Sequence, residues 1–172
     1  EVLDFVKTWS SYGFGSVLLF LVFGSVLTLV LQSSSATMAI TLIMLSMGWI
    51  PFEMACAMVL GENIGTTITA NIAASVGNTQ AKRAAMSHTI FNVSGVLWAL
   101  ALYKPFLGLV GFITATIFGL PDPSAEGFMV SGPNAPEGVA ALYGLSMLHT
   151  LFNTINTFVL IWFVKFIEKA VV

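Results

Sequence analysis

The sequence predicts an all-α membrane protein in which a re-entrant helical hairpin and a broken helix sit among spanning helices. Three observations carry this. Of 172 residues, 57% are hydrophobic and 8% are charged, whereas an ordinary soluble domain is about 25% charged. A chain of this size leaves too much surface exposed to hide that apolar content in one water-soluble core. Apolar runs recur at 14–31, 50–60, 84–102, 106–120 and 139–164, and only some approach the roughly 20 residues that span a bilayer. Two polar clusters, Gln32-Ser33-Ser34-Ser35 and residues 61–67, interrupt apolar segments at what should be membrane depth. Backbone in hydrocarbon must satisfy its own hydrogen bonds, so such interruptions survive only when buried in protein or lining a wet cavity.

Residues 1–12 read as a short amphipathic lead-in, with Trp9 and Tyr12 suited to the membrane interface. Residues 13–50 form the hairpin, with its tip at 33–35 and a second limb, 36–47, too short to span. Gly48-Trp49-Ile50-Pro51 is a turn, and Pro51 suits the first turn of the next helix. Residues 51–77 form the broken helix, interrupted at 62–65 and closed by Gly77-Asn78. Residues 81–104 form a full-length helix. Residues 105–137 hold a shorter apolar segment and a Pro-, Gly- and Ser-rich loop carrying Asp122 and Glu126. The final helix spans 138–169. Lys82 with Arg83, and Lys165 with Lys169, are cytoplasmic by the positive-inside rule, and Lys104 opposes that assignment.

Charge and cysteine content narrow the classes. A net charge of -2 points to neither nucleic acid nor an anionic membrane surface. The single cysteine, Cys56, excludes an internal disulfide, and its apolar surroundings mark it as inert. The chain opens with Glu1 and no Met, and reads as a piece of something longer. An internal repeat places His88-Thr89-Ile90-Phe91-Asn92 against His149-Thr150-Leu151-Phe152-Asn153. In each copy His and Asn lie four apart on one helical face. We read His88, His149, Asn92, Asn153 and Asn156 as interhelical hydrogen-bonders. Glu53 belongs in a helix first turn, where its charge suits the dipole.

The two breaks carry the chemistry. A helix start leaves unpaired N–H groups and a partial positive charge, a ready anion site. Ser35 is placed to cap a helix from Ala36, and Thr66 or Thr67 to start one through Ala70. Free carbonyls near Leu31 and Leu60, the hydroxyls and the Asn63 amide oxygen are hard ligands suited to sodium. Discontinuous helices meeting at the midplane are the pattern of secondary transporters.

Gln32-Ser33-Ser34-Ser35-Ala36-Thr37, then Gly61-x-Asn63-Ile64-Gly65-Thr66-Thr67, then Arg83-Ala84-Ala85-x-x-His88-x-x-Phe91-Asn92, resemble the type II sodium/phosphate cotransporter family. The resemblance runs from about residue 14 to the 149–153 helix. It implies one half of an inverted-repeat transporter, the later of two repeats, with residues 1–172 as a single transmembrane repeat. It implies that Gln32, Ser33, Ser34, Ser35, Thr66 and Thr67 contact phosphate. It implies that Ser34, Ser35, Thr37, Asn63, Thr66 and Glu62 contact sodium. Glu62 departs from the family pattern, where the residue is often small or apolar. A carboxylate there suits a sodium ligand, a salt bridge to the other half, or a repellent for phosphate.

The function this implies is sodium-coupled transport of inorganic phosphate by an integral membrane protein of the bacterial inner membrane. No enzyme activity and no cofactor are expected, and sodium is the only metal. The expected partners are phosphate, sodium, lipid and the other repeat or a second copy of the chain. A phosphate-sensing membrane domain is the alternative. An intramembrane serine protease is disfavoured: a Ser nucleophile needs a histidine and an oxyanion hole in reach, and nothing singles out one of the three serines.

Overall fold

A computed structural model describes residues 8–10 and 12–171, and every regular element among them is helical. The helices are α1 (Phe14–Leu31), α2 (Ser34–Ser46), α3 (Phe52–Ser75), α4 (Thr79–Ala101), α5 (Tyr103–Phe118), α6 (Pro136–Leu160) and, after a 3-10 turn (Ile161–Phe163), α7 (Val164–Val171). Three stretches among the described residues are long and apolar enough to cross a membrane: Phe14–Leu31, Thr79–Ala101 and Pro136–Val171. Most of the lead-in, residues 1–7 and 11, lies outside the described residues; Trp9 and Tyr12 are exposed and their rings meet at 5.6 Å.

The hairpin forms at Gln32-Ser33. Gln32 closes α1 in the left-handed conformation (φ 52) and Ser33 caps α2. At 1.5 Å per residue, the 13 residues of α2 reach about 20 Å, short of the roughly 30 Å hydrocarbon core. α1 and α3 run parallel. Gly13 and Phe14 lie by Glu53 and Met54, Leu21 by Gly61, and Thr28 by Gly65. α2 returns along them, with Thr37 against Thr28 and Thr41 against Glu62.

α3 is the central element: residues 54–62 are all buried, and they anchor a core with Val17, Phe20, Leu45, Val96, Val110, Leu145, Leu148 and Phe152. This corrects the expected break. α3 is one unbroken helix of 24 residues, so Leu60 ends no helix and neither Thr66 nor Thr67 starts one. The two glycines of this stretch pack against α1. A Cβ on Gly61 would lie 2.8 Å from the Leu21 carbonyl carbon, and one on Gly65 would lie 2.6 Å from Ser25 O. Gly24 faces them from α1, where a Cβ would lie 2.8 Å from the Met58 backbone. Small residues spaced in this way let two membrane helices touch along their backbones. Ser25 Oγ completes the seam by donating to Gly61 O at 2.9 Å.

The remaining helices frame this centre. α4 and α6 cross through Trp98 stacked on Phe152 (5.9 Å) and through Asn156, whose Nδ2 donates to Phe91 O while its Oδ1 accepts from Trp98 Nε1. α5 stays near one end. The Tyr103 hydroxyl donates to Glu53 O, and Phe118 contacts Tyr143 near the start of α6. Lys104 pairs with Glu53 at 3.0 Å at this same end. At the other end, α7 lies against the start of α4, where Arg83 and Ser87 face Val164, Ile167 and Glu168. Both basic segments therefore share one end. The long helices run slightly off the expected bounds: Thr79–Ala101 in place of 81–104, and Pro136–Leu160 plus α7 in place of 138–169.

Candidate functional site

A cavity of about 200 Å³ opens between α2, α3, α4 and α6. It is lined by Ser34 at the first position of α2, by Glu62, Asn63 and Thr66 of α3, by His88, Phe91 and Asn92 of α4, and by His149 and Asn153 of α6. Each of the three long helices contributes from near its midpoint, so the polar cluster sits midway along them. Four residues of the predicted sites, Ser34, Glu62, Asn63 and Thr66, therefore meet in one space. The His–Asn repeat supplies the other five lining residues, His88, Phe91, Asn92, His149 and Asn153. That repeat was legible in the sequence, but only as interhelical glue.

The α2 start shows why the chain turns there. The Ser33 side chain accepts from Ala36 N at 3.2 Å, and the Ser33 and Ser35 hydroxyls lie 3.2 Å apart. The expected cap, Ser35 before Ala36, is thus corrected: Ser33 is the cap and the helix begins at Ser34. An oxygen at N-cap accepts one of the orphan N–H groups of the first turn, and the others remain at the exposed tip formed by Gln32, Ser34 and Ser35. Gln32, the sole non-glycine with positive φ among the described residues, holds a conformation that costs roughly 1–3 kcal/mol and concentrates at functional sites.

Other predicted residues stand apart from the cavity. Thr37 is buried behind it, donating to Ser33 O and accepting from Thr28 Oγ1 at 3.2 Å. Thr67 is buried and donates to Ile64 O. Thr66 lines the cavity while its hydroxyl donates to Glu62 O at 2.8 Å. Gln32, Ser33 and Ser35 belong to the tip adjoining Ser34.

The wall is internally braced. Asn92 Nδ2 lies within hydrogen-bond reach of both Asn63 O (3.0 Å) and His88 Nε2 (2.9 Å), tying α4 to α3. Thr41 Oγ1 lies 3.2 Å from Glu62 Oε1, tying α2 to α3. Asn92 and Asn156 bridge helices as expected; the Asn153 amide instead donates within α6 to His149 O, and that residue faces the cavity. Among the described residues no three His, Cys, Asp or Glu side chains cluster as a transition-metal site would need. The wall sets the oxygen groups of Ser34, Glu62, Asn63 and Thr66 beside the imidazoles of His88 and His149.

Comparison with known proteins gives the family. The family model described as Na+/Pi-cotransporter matches residues 6–120. The "Uncharacterized protein YqeW" of Bacillus subtilis is 42% identical over 107 residues, which is 62% of this chain and 33% of that protein. The sodium-dependent phosphate transport protein 2C of Mus musculus is 32% identical over 166 residues, covering 84% of this chain and 28% of the relative. The sodium-dependent phosphate transport protein 2B of Rattus norvegicus is 41% identical over 78 residues, covering 43% and 11%. The chain thus spans a third or less of the length of these relatives. No solved structure matches. With a family match over most of its length and three helices fit to cross a bilayer, the chain is an integral membrane protein belonging to the Na+/Pi-cotransporter family.

Proposed function

We propose that this chain contributes one repeat, the later of two, to a sodium-coupled transporter of inorganic phosphate in a bacterial cytoplasmic membrane. The observation that carries the reading is the meeting of the α2 start with a polar cavity midway along α3, α4 and α6. The first turn of α2 directs N–H groups and the positive end of its dipole toward the tip, where a phosphate oxygen is favoured. Gln32, Ser33, Ser34 and Ser35 add side-chain donors around it. Thr66 supports the phosphate from the cavity wall, and Thr67 from behind it. Asn63, Thr66 and Glu62, with Ser34 and Ser35, offer oxygens for sodium, and Thr37 holds the Ser33 carbonyl from behind.

Sodium bound beside the tip lowers the repulsion a phosphate meets from Glu62, which makes the two ions bind together. The names of the 2B and 2C relatives as sodium-dependent phosphate transport proteins support the choice of cargo. The Bacillus subtilis relative supports a bacterial setting. The second repeat would close the cavity on the side where Ser34 and His149 are exposed.

The test is uptake by the full-length protein in proteoliposomes. An inward sodium gradient is expected to drive phosphate uptake, and Gln32→Ala and Ser34→Ala to abolish it. Unchanged uptake in both variants removes the site assignment. Phosphate binding without uptake by the unmutated protein returns the sensing-domain reading.

A further inference from the structure

We propose that the groove between α4 and α7 holds one phosphatidylethanolamine molecule, with the headgroup phosphate on Arg83 and the headgroup ammonium on Glu168. The groove has a volume of about 430 Å³. Gln80, Arg83, Ser87 and Phe91 line it from α4, and Val164, Ile167, Glu168 and Val171 from α7. Each set has the spacing of a single helical face. Such faces on neighbouring helices ordinarily interlock, ridge into groove. Here they stay apart and leave room between them.

The two charges in the groove are opposite and unpaired. Arg83 is half-buried and Glu168 is exposed. Both line the same space, yet among the described residues no ion pair joins them, and the pair that does form, Lys104 with Glu53, lies at the other end. Neither side chain has a hydrogen-bond partner among the described residues; Ser87 Oγ donates to the Arg83 carbonyl, not to its guanidinium. A simple anion in this groove would be repelled by Glu168, and a simple cation by Arg83. A zwitterion satisfies both. The guanidinium fork suits phosphate oxygens, and a primary ammonium brings N–H donors to a carboxylate.

The rest of the lining is hydrocarbon: Phe91, Val164, Ile167 and Val171. A water-soluble zwitterion leaves that surface bare, whereas an acyl chain covers it. Phe91 lies eight residues beyond Arg83 on α4, about 12 Å at the helical rise, so a chain attached at Arg83 has a path along α4. Phe91 also lines the central cavity, so one side chain separates the lipid from it. Lys82, Arg83, Lys165 and Lys169 gather at this end, as basic residues do beside phospholipid headgroups.

The site is independent of the transport reading. Its test is native mass spectrometry of the full-length protein in detergent, with phosphatidylethanolamine, phosphatidylcholine and phosphatidylglycerol of identical acyl chains. One phosphatidylethanolamine should be retained about tenfold more strongly than either other lipid, the weight of a hydrogen bond to a charged group. Phosphatidylcholine has no N–H for Glu168, and phosphatidylglycerol has no cation. Glu168→Ala should bring phosphatidylethanolamine down to the phosphatidylcholine level and leave phosphatidylcholine unchanged. Arg83→Ala should weaken all three lipids, while Lys82→Ala, exposed and outside the groove, should weaken none. If Arg83→Ala does not fold, Glu168→Ala, on an exposed position of α7, still decides. Equal retention of the three lipids by the unmutated protein overturns the proposal, as it would if another segment of the full-length protein filled the groove. So does a preference that survives Glu168→Ala, or a loss in Lys82→Ala as large as in Arg83→Ala. Displacement of the lipid by an equal concentration of glycerophosphoethanolamine, the headgroup without chains, overturns the acyl-chain path and with it the choice of a lipid.

Discussion

Gly61→Ala tests the seam between α1 and α3. A Cβ at this position would lie 2.8 Å from the Leu21 carbonyl carbon and 3.0 Å from Ser25 N, both backbone atoms that no rotamer change can move. Ordinary carbon contacts fall at about 3.5–4.0 Å, so the helices must separate by on the order of 1 Å. That separation also stretches the 2.9 Å bond from Ser25 Oγ to Gly61 O. Overpacking a tight core costs about 1–3 kcal/mol, and a lost hydrogen bond about 1 kcal/mol more. For a chain of this length about 1 kcal/mol lowers the melting temperature by roughly 2–4 °C, so a fall on the order of 10 °C is expected.

The protein supplies its own reporter. Cys56, the only cysteine of the chain, is fully buried on α3, so a maleimide dye reacts as the helices part. Gly108→Ala is the control, because a Cβ there meets nothing within 4 Å. If Gly61→Ala melts within a degree of Gly108→Ala, the seam is not a close backbone contact and the account of the unbroken helix is wrong.

The helix frame gives two further outcomes. Lys104→Ala should shift the same melting curve by no more than about 1 kcal/mol, because its ion pair with Glu53 is mostly solvent-exposed; a large shift would mean that the pair is shielded. Asn156→Ala should destabilise by about 1–3 kcal/mol, since it strips the partner from both Trp98 Nε1 and Phe91 O. A red-shift in the tryptophan emission of the folded variant would report the freed indole.

The first interruption was legible because its cause is local. Four polar residues in an apolar run, with a serine placed to cap the next helix, define a turn without help from elsewhere in the chain. Even there the cap fell two residues early, on Ser33, since adjacent serines are chemically equivalent until the backbone chooses. The second cluster misled because a glycine states only that a side chain is missing. In water an interior glycine weakens a helix by about 1 kcal/mol; Gly61 and Gly65 instead admit α1, and their meaning depends on Gly24, far away in sequence. Thr66 and Thr67 read as helix starters, yet their hydroxyls fold back onto carbonyls of their own helix. The His–Asn repeat was visible as a pattern, but which of its members bridge helices and which face a cavity depends on how α4 and α6 are rotated. Asn153 and Asn156, three positions apart on one helix, ended with different tasks.

The glycine seam has a mechanical consequence. Two rods in backbone contact cannot slide or roll without first climbing apart, so α1 and α3 form a single stiff plate. α2 has no such interlock; it meets α3 through the shared hydroxyl of Thr41 and is flanked by the Gln32 corner and by Gly48. Any rearrangement of the cavity must therefore either carry the whole plate or be confined to the short limb hung between those two joints.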